Sequence, residues 1–117
     1  MFEKPNLPET IREEDVVEAL NTKGIDDQEA REMLEKYADQ CHAEADAEVA
    51  TDPESPETSN RANIKAEIKI AILYSKTEGY RNQARESLED AHLAASQSES
   101  TQDLAVEIKS LIKSLEL

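Results

Sequence analysis

Apolar residues recur along this chain at spacings of three and four, and they are densest over Ile64-Lys65-Ala66-Glu67-Ile68-Lys69-Ile70-Ala71-Ile72-Leu73-Tyr74. Read by twos, Ile64, Ala66, Ile68, Ile70 and Ile72 alternate with charged residues at the start, which is a strand pattern. Read as a helix, Ile64, Ile68, Ala71, Ile72 and Ser75 make one stripe, and Ala66, Ile70, Leu73 and Tyr74 make a second. Lys65, Lys69 and Lys76 then fall on a narrow wet edge between them. Good helix formers fill the gaps, and neither Gly nor Pro interrupts the run from Arg61 to Glu78, so the helical reading is preferred. Two stripes predict a central helix gripped from two sides.

The remaining patterns place other helices around it. Residues 1–9, with Pro5 and Pro8, read as an extended arm. Thr10-Ile11-Arg12-Glu13 has the form of a capping box, opening a helix to about Thr22 that offers Ile11, Val16, Val17 and Leu20 for burial. Gly24 sits where a left-handed cap is needed. Asp26 is placed to cap a second helix, whose inner face carries Ala30, Met33, Leu34, Tyr37, Ala38, Cys41 and Ala45. From Ala43 to Ala50 this helix has little to bury and is expected to fray or project. Residues 51–60 read as a linker, with Ser55 before Pro56 among the candidates to start the third helix. That helix ends near Gly79. A fourth carries Ala84, Leu88, Ala91 and Ala95 on one face. A polar turn from Ser96 to Thr101, with Ser100 as cap, leads to a fifth, whose stripe is Leu104, Ile108, Leu111 and Leu115.

The expected fold is therefore all-α, a four- to five-helix bundle or a short stack of antiparallel helical hairpins. In a chain of 117 residues one domain is the default, divided into an arm (1–9), an acidic hairpin (10–50), a linker (51–60) and a three-helix core (61–117). Two glycines are too few for the many reversals of an all-β domain, and with four aromatic residues and no Trp the core must be built from Ala, Ile, Leu and Val.

Ala71, Tyr74, Gly79, Tyr80, Ala84, Leu88 and Ala91 resemble the helix-turn-helix of a tetratricopeptide repeat, in which small residues sit where paired helices touch. The resemblance covers roughly the second half of the chain. The turn is one residue longer than the family's, the early aromatic is missing, and no Pro closes the repeat near Ser96. What it implies is a stack of helical hairpins that binds peptides or protein segments.

Charge narrows the partner. The net charge is −14, and residues 1–60 carry 18 acidic against 5 basic side chains, whereas residues 61–117 carry 9 against 8. The acidic half repels phosphate, so neither nucleic acid nor an anionic membrane is an expected ligand. A basic protein is, met by the acids of the second helix: Glu32, Glu35, Asp39, Glu44, Asp46 and Glu48. A homodimer through Leu104, Ile108, Leu111 and Leu115 is the second expectation. No signal peptide or membrane-length run is visible, and the chain is expected in the cytoplasm.

Chemistry is sparse. Each histidine closes an acid-x-x-His spacing, Asp39 with His42 and Glu89 with His92, and two such pairs across a bundle can hold a pair of iron ions. In helical register, however, Asp39 points away from the core, and Glu89 and His92 flank their stripe. Among possible bridging acids only Glu67 suggests itself. Cys41 adjoins His42 in sequence, yet neighbours on a helix point about 100° apart. Neither a nucleophile elbow nor a glycine-rich phosphate loop is present. The expectation is a non-enzymatic interaction module without metal or cofactor.

Overall fold

In the computed structural model, residues 10–115 are described. They form five α-helices with no strand among them: α1 (Glu13–Lys23), α2 (Gln28–Thr51), α3 (Pro56–Ser75), α4 (Arg81–Ser96) and α5 (Gln102–Ser114), the last entered through a single 3-10 turn at Glu99–Thr101. The arm expected over residues 1–9 lies outside the described residues. The all-α class holds, and α3 is its hub. The first stripe, Ile64, Ile68, Ala71 and Ile72, packs with Leu88, Ala91 and Ala95 of α4 and with Leu104, Ala105 and Ile108 of α5. The second stripe is shared between two neighbours. Ala66 and Ile70, with Ala62, meet Cys41 and Ala45 of α2, whereas Leu73 and Tyr74 meet Val16, Ala19 and Leu20 of α1 and Ala30 of α2.

This arrangement accounts for the strand-like alternation. Ala62, Ile64, Ala66 and Ile68 are buried while Asn63, Lys65, Glu67 and Lys69 are exposed. A step of two residues turns a helix by about 200°, so a helix covered on two opposed sides buries alternate residues. The molecule measures 49 × 35 × 16 Å over its Cα atoms. The helices are thus laid out as a thin slab, with α2 on one side of α3 and α4 and α5 on the other, and α3 keeps two flanks open between them.

Several boundaries differ from those read off the sequence, each for a local reason. Thr10 is not the cap of α1. Arg12 occupies that position, with φ −92° and ψ 149° and no side-chain cap. Ile11 is instead fixed from a distance: its N–H donates to Gln40 Oε1 at 2.9 Å and its carbonyl accepts from Gln40 Nε2 at 2.9 Å. Asp27, not Asp26, caps α2, its carboxylate accepting the Ala30 N–H at 3.0 Å. The second half of α2 does not fray: it continues to Thr51 with Ala45 buried and Val49 half-buried against α3. The linker shrinks from residues 51–60 to residues 52–55, because Ser55 accepts the Thr58 N–H at 3.2 Å and Pro56 stands at the start of α3, where its missing N–H costs nothing. Ser100 does not cap α5. Thr101 takes that place, buried, its hydroxyl donating to the Ala95 carbonyl at 2.6 Å and so tying α5 to the end of α4.

Gly24 closes α1 at φ 98° and ψ 153°, a region that side chains avoid. Gly79 has φ 93°, and a Cβ there would stand 3.3 Å from Ile25 Cδ1, so the α3–α4 turn also needs its glycine to make room for the α1–α2 turn.

Candidate functional site

The acids of α2 separate into two groups once its packing is known. Glu44 accepts from Lys69 at 3.1 Å and Glu48 pairs with Lys65 at 3.5 Å. Glu13 of α1 pairs with Lys76 at 3.0 Å. The lysines that the sequence places on a wet edge of α3 are therefore the points to which the acidic half of the chain is fastened. Glu44 and Glu48 brace the fold and are not simply presented to a partner. Glu32, Glu35, Asp39 and Asp46 differ. They are exposed and form no ion pair with any described residue. At about 100° per residue their spacings of three, four and seven hold them within an arc of roughly 60°, on the side of α2 turned away from Cys41 and Ala45. Four carboxylates on one outward line form a ridge of net negative charge, flanked on the same helix by Arg31 and Lys36.

The two acid-x-x-His pairs do not come together. Asp39 and His42 are exposed on α2, and Glu89 and His92 lie on α4, with α3 between. His42 instead borders a cleft of about 280 Å³ between α2 and α4, lined also by Glu67, Ile70, Tyr74, Ser87 and Asp90. Partial burial, and next the negative charge of Asp90, raise the Glu67 carboxyl above its ordinary range; His42 opposes them. Among the described residues no group of three His, Cys, Asp or Glu side chains is placed to hold a metal ion.

Cys41 is buried against Ala62 and Ala66. Burial pushes its thiol above the usual range, against the smaller opposing effect of a hydrogen bond with Tyr37, and burial likewise raises the Tyr37 phenol. A thiol that resists ionisation is the reverse of an activated nucleophile.

On α5 the predicted stripe divides. Leu104 and Ile108 are fully inside the chain's own core, so they are not available to a second copy. Leu111 and Leu115 are half-buried against that core beside Ile112, and Val106 on another face is 70% exposed. A homodimer through all four residues of the stripe is thus corrected to a smaller apolar margin.

One feature of the α3–α5 junction is invisible in the spacing. Arg61 forms a two-pronged bond with Asp103, at 2.8 and 3.0 Å, and donates to the Ser100 carbonyl at 2.7 Å. The Arg61 guanidinium holds the Asp103 carboxyl below its ordinary range, chiefly through the hydrogen bond. Beside it, a groove of about 580 Å³ runs between α2 and α5 over α3.

Comparison with known protein families, with curated proteins and with solved structures yields no match. Among the described residues no helix is long and apolar enough to cross a membrane.

Proposed function

We propose that this chain is a non-enzymatic protein-interaction module of the cytoplasm, and that it meets a basic protein segment along the outer face of α2. The observation that carries this reading is the line of Glu32, Glu35, Asp39 and Asp46, exposed and in no ion pair with any described residue, although Arg31 and Lys36 flank it on the same helix. Net charge −14 extends the attraction beyond contact range and speeds encounter with a cationic partner. The same field repels phosphate, which argues against nucleic acid and anionic membranes. A hairpin stack of the tetratricopeptide kind belongs to the proposal. Its support is the close meeting of α3 and α4 through Ala71, Leu88 and Ala91, with α5 alongside.

The test is capture of partners from the native host's lysate by the tagged chain, at low and at moderate salt, beside a variant carrying Glu32→Lys, Glu35→Lys, Asp39→Lys and Asp46→Lys. A basic protein retained by the wild type at low salt, and lost with either salt or reversal, is the expected result. Binding that ignores both removes the ridge from the account.

A second reading, a homodimer, is favoured by the half-covered Leu111, Ile112 and Leu115. Sedimentation velocity at micromolar concentration separates the two, since a clean monomer leaves only the first.

A further inference from the structure

We infer that the cleft between α2 and α4 takes one arginine or lysine side chain of the partner, its aliphatic stem against Ile70 and Tyr74 and its cationic head beside Glu67 and Asp90. The inference deepens the basic-partner reading and rests on it.

The two open flanks of α3 treat charge differently. On one, acids of α2 are answered by lysines of α3: Glu44 by Lys69 at 3.1 Å and Glu48 by Lys65 at 3.5 Å. On the other, α3 presents Glu67 and α4 answers with a second acid, Asp90. Neither carboxylate forms an ion pair with a described residue. Among the described residues no arginine or lysine lines the cleft, and only His42, on the α2 wall, opposes the negative charge. The fold therefore holds two like charges across a cleft. Its effect is visible in Glu67, whose carboxyl is raised above the ordinary range by partial burial and then by Asp90. A carboxylate so placed gains from any cation brought beside it, and none of this chain's lysines or arginines supplies one there.

The rest of the lining selects the kind of cation. The volume of about 280 Å³ lies below the roughly 300–1,000 Å³ of sites for drug-sized ligands, which suits one side chain and not a helix. Ile70 and Tyr74 are half-buried, so each keeps an accessible part within the cleft. The stem of arginine or lysine lies along such a surface while its head stays with the carboxylates, and a tyrosine ring adds attraction for the cation. A bare metal ion would use neither, and among the described residues no group of three His, Cys, Asp or Glu side chains is placed to hold one. His42 also joins the cleft to the acidic ridge. It lies three residues after Asp39 and four before Asp46, and residues at those spacings are neighbours on a helix surface. A basic segment lying on the ridge thus reaches the cleft by turning one side chain past His42.

The probe is an end-capped peptide of alternating arginine and serine, about ten residues long, enough when extended to follow the ridge for roughly 21 Å and reach the cleft. A peptide with glutamine for arginine is the control. Each is titrated into the full chain labelled with ¹⁵N and with ¹³C in the glutamate carboxyls. With the arginine peptide alone, saturable amide shifts are expected at Glu67, Ile70, Tyr74 and Asp90, and the titration midpoint of the Glu67 carboxyl should fall. Glu67→Gln with Asp90→Asn keeps the side-chain shapes, should melt no lower than the wild type, and should weaken the peptide about fivefold or more. Glu18→Gln with Glu54→Gln, the same change of charge outside cleft and ridge, should leave its affinity within about twofold. Equal weakening by the two pairs, an unmoved Glu67 midpoint, shifts confined to the ridge, or no saturation would each overturn the inference. A lysate partner lost on ridge reversal but kept by the Glu67→Gln, Asp90→Asn chain would also overturn it, and would leave the basic-partner reading standing. Selective loss of the peptide in that variant, beside lysate partners indifferent to ridge reversal, would keep the cleft as a cation site and remove the ridge.

Discussion

The two sides of α3 are built from different materials. Toward α4 and α5 it presents Ile64 and Ile68, with half-buried Ile72, to Leu88, Leu104 and Ile108, large side chains that apart from Ile72 bury fully or nearly so. Toward the second half of α2 it presents Ala62 and Ala66 to Cys41 and Ala45, with the Lys65–Glu48 and Lys69–Glu44 pairs along the edge. Each buried leucine or isoleucine contributes roughly 1.5–3 kcal/mol, whereas an exposed ion pair contributes about 0.2–1 kcal/mol and less in salt. The contact of α3 with the second half of α2 is therefore weaker than its contact with α4 and α5. The acidic side is attached by close backbone approach and weak electrostatics, and by the separate α1 cluster at its other end.

The sharpest way to break this comparison is Ile68→Asp. An unpaired carboxylate at the α3–α4–α5 junction should cost about 4–5 kcal/mol or more and leave the chain largely unfolded by circular dichroism at 25 °C. A near-native melt would show that α3 is not the hub. Leu88→Ala, on the strong side, should cost about 2–5 kcal/mol in a denaturant titration. Hydrogen exchange on the same variant sharpens the contrast: amides of Ala43–Thr51 should still exchange before those of α4. If α4 exchanged first, the assignment of strong and weak sides would be reversed.

Gln40→Ala tests the acidic side alone. Losing the two bonds to Ile11 should cost about 1–3 kcal/mol, with the loss of protection confined to α1 and its contact with α2. A uniform effect across all helices would mean that the two sides fold as one unit.

The smallest effect is electrostatic. Glu67 holds its proton more firmly in the folded chain than in the unfolded one, so its ionised form opposes folding at neutral pH. That opposition is relieved as pH falls through the raised value toward 4.5, below which both states are protonated. Glu67→Gln should raise the melting temperature at pH 7.5 by about a degree, since the group is partly solvated. The gain should fade below pH 4.5. A gain that persists at pH 4 would have another cause than charge.

Much of the fold was legible because its signals are local. The double stripe on α3 reports two-sided burial directly, since the period of side chains around a helix is set by the backbone. Ala84, Leu88, Ala91 and Ala95 are all fully buried at the spacing from which they were read. The misreadings share one origin. Thr10 lost the cap because Gln40, 29 residues away, holds the backbone of Ile11. The end of α2 stayed helical because Ala45 and Val49, which look idle in isolation, pack with Ala62 and Ala66.

The candidate site divides the same way. That Glu32, Glu35, Asp39 and Asp46 share a face follows from helical geometry alone. That Glu44 and Glu48 are engaged by lysines, that His42 faces Glu67 and Asp90 and not the second histidine, and that a groove opens between α2 and α5 depends on which helices meet across α3. Periodicity along a chain determines the faces of each helix. It carries no information about which face of which neighbour will cover them, because that choice is made by the summed packing of residues far apart in sequence.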